Sequence, residues 1–223
     1  MNLLEAMEKR HSVRVYTDKK ITSAIKDELL SCIDECNQEG DLNIQLISDE
    51  PKAFDSMMAH YGKFKNVKNY IALIGKKGPD LDEKCGYYGE KIVLKAQQLG
   101  LNTCWVAMTY KKIKTAFKIG TNEKLVLVIA IGYGTNQGVE HRIKSTDQVV
   151  DTMQNQPEWF INGVKAALLA PTAMNQQKFV FSRHDNQVAI KKGTGFYTKV
   201  DLGIVKYHFE IGAGKENFNW IKK

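Results

Sequence analysis

APTAMNQQKFVF, residues 170–181, is the stretch on which the fold of this chain turns. Pro171 has no N–H and restricts Ala170, so the apolar helix expected over WFINGVKAALLA (159–170) must end there. The small residues Thr172 and Ala173 let the backbone turn and expose its own N–H and C=O groups. Asn175 then carries a donor and an acceptor on one planar amide. That pairing suits a ring that alternates carbonyl and N–H groups. An Asn/Gln-rich turn between helix and strand accounts for NQQ equally well. KFVFS (178–182) resumes as a strand, VAIKKG (188–193) as a turn into another, and VDLGIVKYHFEIGAG (200–214) as a helix ending in glycines.

Upstream, a similar succession is written once already. ITSAIKDELLSCIDECNQEG (21–40) predicts a helix with Thr22 or Ser23 as N-cap, a buried stripe of Ile25, Leu29, Ile33 and Cys36, and Gly40 as its stop. NIQLIS (43–48) predicts a strand, and residues 82–99 the longest helix, with Tyr88, Ile92, Val93, Ala96 and Leu99 on its apolar side before Gly100. Helix–strand–segment–helix–Gly thus occurs at 21–48 with 82–100 and again at 159–182 with 200–214. This predicts an internal duplication with a pseudo-two-fold, a half-repeat over 1–150 and a degenerate one over 151–223. Plain helix–strand alternation can produce the same echo. The remaining elements are short helices at 2–10 and 51–61 and apolar strands at 69–75, 101–108 and 125–134, with a polar linker near 146–158.

The totals fit this plan. The 223 residues suffice for a sizeable core, and 43% hydrophobic with 26% charged residues is a globular composition. No apolar run has the length of a membrane span, and MNLLEAMEKRHSV is not a secretory signal. Cys32, Cys36, Cys85 and Cys104 form no CxxC pair or zinc spacing, which predicts reduced thiols in a cytoplasm and no metal site. The net charge of +7 comes mostly from dispersed Lys pairs. No basic helix, RNA-binding aromatic motif or zinc finger accompanies it, so nucleic acid is not an expected partner.

One basic stretch is patterned. In KRHSVRVYTDKK (9–20), Arg10, Ser12 and Arg14 alternate, and in an extended segment they share one face. Two guanidinium forks and a hydroxyl on one face suit a phosphate. A solvated edge strand reads the same residues without a ligand. Dinucleotide and P-loop glycine patterns, paired metal-binding histidines and a GxSxG elbow are all missing, and IGYGTNQG (131–138) has the wrong spacing for a nucleotide loop.

RHSVRVYTDKKI, GYYGEKIVLKAQQLGLNTCWV (86–106), VIAIGYG (128–134) and APTAMNQQKFVF together resemble the FMN-dependent nitroreductase family. The first resembles its R-x-S-x-R phosphate site and the last its AP-S-x-x-N-x-Q-P loop. The order departs from that of ordinary members, in which the loop follows the first long helix and is supplied to the partner subunit's flavin. Here it appears only after residue 170, which is similar to a divergent, thermophile-type branch in which one chain imitates the dimer. The resemblance implies an α+β, nitroreductase-like fold with a central mixed β-sheet flanked by helices.

It also implies FMN as cofactor. Arg10, Ser12 and Arg14 would hold the phosphate and ribityl chain with help from His11, and Arg142 and Lys144 would add a basic pair. Thr172, Ala173, Asn175 and Gln177, in the loop that Pro171 opens, would line the isoalloxazine. Backbone around Val106 and Ala107 would approach N5, and Lys63 or Lys65 the pyrimidine edge. QKF replaces the family's Q-P-W/F after Gln177. The implied activity is ping-pong hydride transfer from NAD(P)H to a nitroaromatic, quinone or similar acceptor, by a monomeric pseudo-dimer or a homodimer, with no side-chain acid or nucleophile. A flavin carrier with little turnover, or a relative with other flavin chemistry such as dehalogenation or flavin breakdown, would share the same motifs.

Overall fold

Hydrophobic runs set the framework. In the computed structural model, which describes residues 1–221, the apolar run 69–76 becomes β2 (Asn69–Lys76), buried from Tyr70 to Gly75. A strand apolar on both faces belongs inside a layered core. It pairs antiparallel with β1 (Gln45–Ile47) and with β4 (Glu123–Gly132), which in turn pairs with β3 (Asn102–Val106), giving the order β1-β2-β4-β3. The named strands of this sheet are all antiparallel. Parallel pairing enters through single bridges from the N-terminal segment, Ser12 to Thr103 and Val15 to Lys65.

This sheet belongs to a compact unit made of Lys9–Leu81 and Lys91–Glu140. Its α2 (Ser23–Gly40) starts after Thr22, whose side chain makes no capping bond, and Asp41 terminates it in the left-handed region. Leu29, Cys32, Ile33 and Cys36 are its buried stripe. Cys32 joins the predicted positions, and Ile25 is only half-buried. The helix expected over 51–61 is broken. A turn of 3-10 helix, Pro51–Ala53, is capped by the Glu50 carboxylate, and α3 (Met57–Tyr61) starts afresh where the Ser56 hydroxyl accepts from Ala59 N. Two caps six residues apart cannot serve one continuous helix.

The other unit comprises Met1–Glu8, Asp82–Glu90 and residues from His141 onward. α4 (Leu81–Gln98) is continuous and contributes its first half here. α1 (Leu3–Lys9), α5 (Glu158–Leu168) and α6 (Thr198–Ala213) accompany a sheet of order β5-β6-β7, with β5 (Phe179–His184), β6 (Gln187–Lys192) and β7 (Asn219–Trp220). The two predicted strands close as a hairpin over Asp185 and Asn186, Asp185 being left-handed. Phe209 is the centre of this unit's core, stacked on Phe181 at 4.7 Å and edge-on to Phe160 and Phe218.

Candidate functional site

The segment 10–16 threads into the four-stranded sheet by its backbone. Val13 N donates to Thr103 O at 3.0 Å, Lys65 N to Arg14 O at 3.0 Å, and Tyr16 N to Lys65 O at 3.1 Å. Val13 and Tyr16 enter the core, and the Tyr16 hydroxyl donates to Val13 O at 2.7 Å. Burial pushes that phenol well above its ordinary range. Arg10 is 3% exposed, Ser12 half-buried and Arg14 exposed.

All three act on one sulfur. Burial raises the Cys104 thiol, while the Arg14 charge, a hydrogen bond with Ser12 and the Arg10 charge pull the other way. Arg10 is buried and Arg14 exposed, so the alternating positions differ in their access to solvent. Arg14 also lines an open pocket with Tyr61, Gly62, Lys63, Phe64, Trp105 and Thr109. Lys63, left-handed at φ 62°, is thus beside Arg14, whereas Lys65 serves the segment through its backbone. Val106 ends β3 buried, and Ala107 follows half-buried beside the pocket residue Trp105.

Residues 131–138 form a wall rather than a nucleotide loop. Asn102, 4% exposed, accepts from Gly134 N and donates to Gln137 Oε1, both at 2.9 Å. Gly138, at φ 77°, passes so close that a Cβ there would be 2.7 Å from the His11 Cβ. Only glycine admits both that conformation and that approach. The density of glycines in GYGTNQG was the available signal. Asn102 had none, because a polar residue opening a strand reads as solvent-facing.

The other unit holds the second group of predicted residues. In the loop after α5, Met174, Asn175 and Gln177 all have positive φ, at 53°, 52° and 43°. Side chains hold this disfavoured backbone. Gln177, 2% exposed, donates from Nε2 to Arg142 O and Asn175 Oδ1 and accepts Lys144 N at Oε1. Lys144 Nζ returns to Gln177 O at 2.8 Å, and Thr172 Oγ1 accepts from Gln177 N. The Gln177 amide is therefore engaged within the protein. It organises residues 142–144. Asn175 is exposed, with Nδ2 on Arg142 O at 2.8 Å, and the Arg142 side chain is exposed. Pro171, Thr172 and Ala173 are half-buried.

Asp201, in the first turn of α6, gave no signal in the sequence. Its Oδ1 accepts from Ala173 N at 2.9 Å and its Oδ2 from Gln176 Nε2 at 2.7 Å. Burial raises its pKa to about 6, against those two hydrogen bonds. An Asp at a helix start reads as a dipole partner, and nothing in the local pattern points across 28 residues to Ala173.

Comparison with known proteins agrees with this architecture. The family described as "Putative TM nitroreductase" matches residues 2–213. A nitroreductase structure from Thermotoga maritima is 22% identical with a TM-score of 0.70, over 100% of this chain and 89% of that one. A Desulfovibrio desulfuricans nitroreductase solved in complex with FMN is 18% identical with a TM-score of 0.54, over 70% of this chain and 98% of its own. A Clostridium acetobutylicum structure described as an NADH oxidase is 20% identical with a TM-score of 0.51, over 68% and 99%. No curated protein matches the chain. The fold is α+β, an antiparallel sheet flanked by helices, of the nitroreductase type.

Proposed function

The chain belongs to this nitroreductase family, and from that premise we propose that it is an FMN-dependent oxidoreductase acting between NAD(P)H and a small acceptor such as a nitroaromatic or quinone. The observation that carries the reading is the family match over residues 2–213, within which Arg10, Ser12 and Arg14 form the basic motif. Two guanidiniums and a hydroxyl are a donor set without an acceptor charge, which fits a phosphate. Arg14 and Lys63 line the neighbouring pocket with Trp105, and no carboxylate joins them.

When bound, FMN supplies the hydride chemistry, so the protein need only bind, orient and polarise. Arg10, Ser12 and Arg14 would anchor the phosphate. Lys63 would place positive charge at the pyrimidine edge, where negative charge develops on reduction. The backbone after Val106 would leave the ring open to NAD(P)H and the acceptor in turn. Thr172, Ala173 and Asn175 are assigned to the same flavin by the family resemblance alone, as are Arg142 and Lys144. Residues 151–223 are read as a degenerate half-repeat of 1–150, which would let a single chain dispense with a partner subunit. Four buried free thiols support the expected cytoplasmic location.

The deciding experiment is the visible spectrum of the purified protein, with mass analysis of whatever a denaturant releases and NAD(P)H kinetics on the same sample. Flavin bands, released FMN and turnover with menadione are expected. Bound FMN that NAD(P)H reduces only slowly would make the protein a carrier. A colourless protein that does not take up added FMN would overturn the reading.

A further inference from the structure

We propose that Asp201 is a positioning residue that holds the loop 172–177 and, through it, the loop 193–197. The inference rests on the reading that this loop faces the flavin. Left-handed backbone at Met174, Asn175 and Gln177 is disfavoured for each residue and persists only when surrounding contacts over-determine it. Asp201 supplies two of those contacts, one to the backbone at Ala173 and one to the side chain of Gln176. The same Gln176 Nε2 donates to Phe196 O at 2.7 Å. A Cβ at Gly195 would be 2.2 Å from Gln176 Oε1, so the two loops are in direct contact.

One carboxylate thus organises two loops, and the side chains they present outward are large and apolar. Met174 is 88% exposed and Phe196 is 71% exposed. Asp201 itself is 6% exposed and anchored in the first turn of α6, which starts from a left-handed Tyr197. Both of its oxygens accept hydrogen bonds from within the protein. Its effect on a flavin runs through the backbone of Ala173 and the placement of Gln176.

The test uses the full-length protein with Asp201→Asn and Gln176→Leu, titrated with FMN, with the visible spectrum and midpoint potential of the bound flavin recorded. Asp201→Asn should weaken FMN binding about tenfold, the equivalent of one hydrogen bond to a charged group, and shift the flavin bands. Gln176→Leu, which keeps the tether to Ala173, should act in the same direction and less. A lowered melting temperature with unchanged affinity, spectrum and potential in both variants would overturn the proposal. Hydrogen exchange of the ligand-free protein separates this from the fate of the flavin reading. Faster exchange at 172–177 and 193–197 in Asp201→Asn is expected even if wild type binds no FMN, and unchanged exchange would overturn the clamp itself.

Discussion

Glu90 Oε1 and His208 Nε2 lie 2.9 Å apart with both side chains fully excluded from solvent. His208 Nδ1 faces Ala166 O at 3.1 Å, and a carbonyl can only accept, so Nδ1 carries a proton. One further proton then sits between Nε2 and the carboxyl, and on either atom it leaves the pair with no net charge. α4, α5 and α6 are tied through this pair. A buried polar pair is tolerated when every lone pair and proton is matched, and breaking it is expensive because one partner is left stranded.

Glu90→Ala should therefore lower stability by about 3–5 kcal/mol. Glu90→Gln, which can still hydrogen-bond to a neutral imidazole, should lose less. Urea midpoints of the two variants check this. A Glu90→Ala protein within about 0.5 kcal/mol of wild type, the range of an ordinary surface change, would show that the pair is not an anchor.

Helix contact in the same unit leaves no room for a methyl group. A Cβ at Gly203 of α6 would be 1.9 Å from Glu83 O, and one at Gly86 of α4 would be 2.0 Å from Val200 O. Both obstacles are backbone and cannot rotate away. Despite the better helix propensity of alanine, Gly203→Ala should be destabilising, by about 1–3 kcal/mol as for overpacked cores, with loss of near-ultraviolet dichroism. A neutral or stabilised variant would mean the helices part without penalty.

Asp201 makes stability depend on pH in a definite direction. Its native pKa of about 6 lies above the ordinary value of 3.8. Between these values the native state holds a proton that the unfolded chain has released, so stability falls as pH rises through the window and levels off above it. The full difference is about 3 kcal/mol, from roughly two units at about 1.4 kcal/mol each. Urea unfolding from pH 4 to 7 should show this slope in wild type but not in Asp201→Asn. The same slope in both proteins would assign it to another group.

Removal of the phosphate anchors should cost the flavin without costing the fold. Arg14→Ala, at an exposed position, should weaken FMN retention about ten- to a hundredfold, and the double variant with Arg10→Ala should abolish it. Far-ultraviolet dichroism controls for folding. Normal flavin content in the double variant would sink the phosphate-site assignment.

Asn175→Ala separates the two groups of predicted residues. It removes the bonds to Arg142 O and from Gln177 Nε2 at an exposed site. A changed FMN affinity or potential is expected if this loop lines the ring. If neither moves, the loop after α5 does not serve the flavin.

Periodicity and punctuation alone determined most elements, because they depend on neighbours a few residues away. The apolar run at β2, the 3.6-residue stripe of α2 and the break at Pro171 are local properties, and the RHSVRVY and APTAMNQQ motifs carried the family. The one helix misread, 51–61, failed because capping by Glu50 and Ser56 overrode a plausible apolar pattern. Tertiary structure alone decided the rest. It spent the Gln177 amide on residues 142–144, brought Asp201 to Ala173 and joined Glu90 to His208, which is 118 residues away. No local pattern encodes such pairings, since a buried polar group needs a partner but its own neighbours in sequence do not say which one.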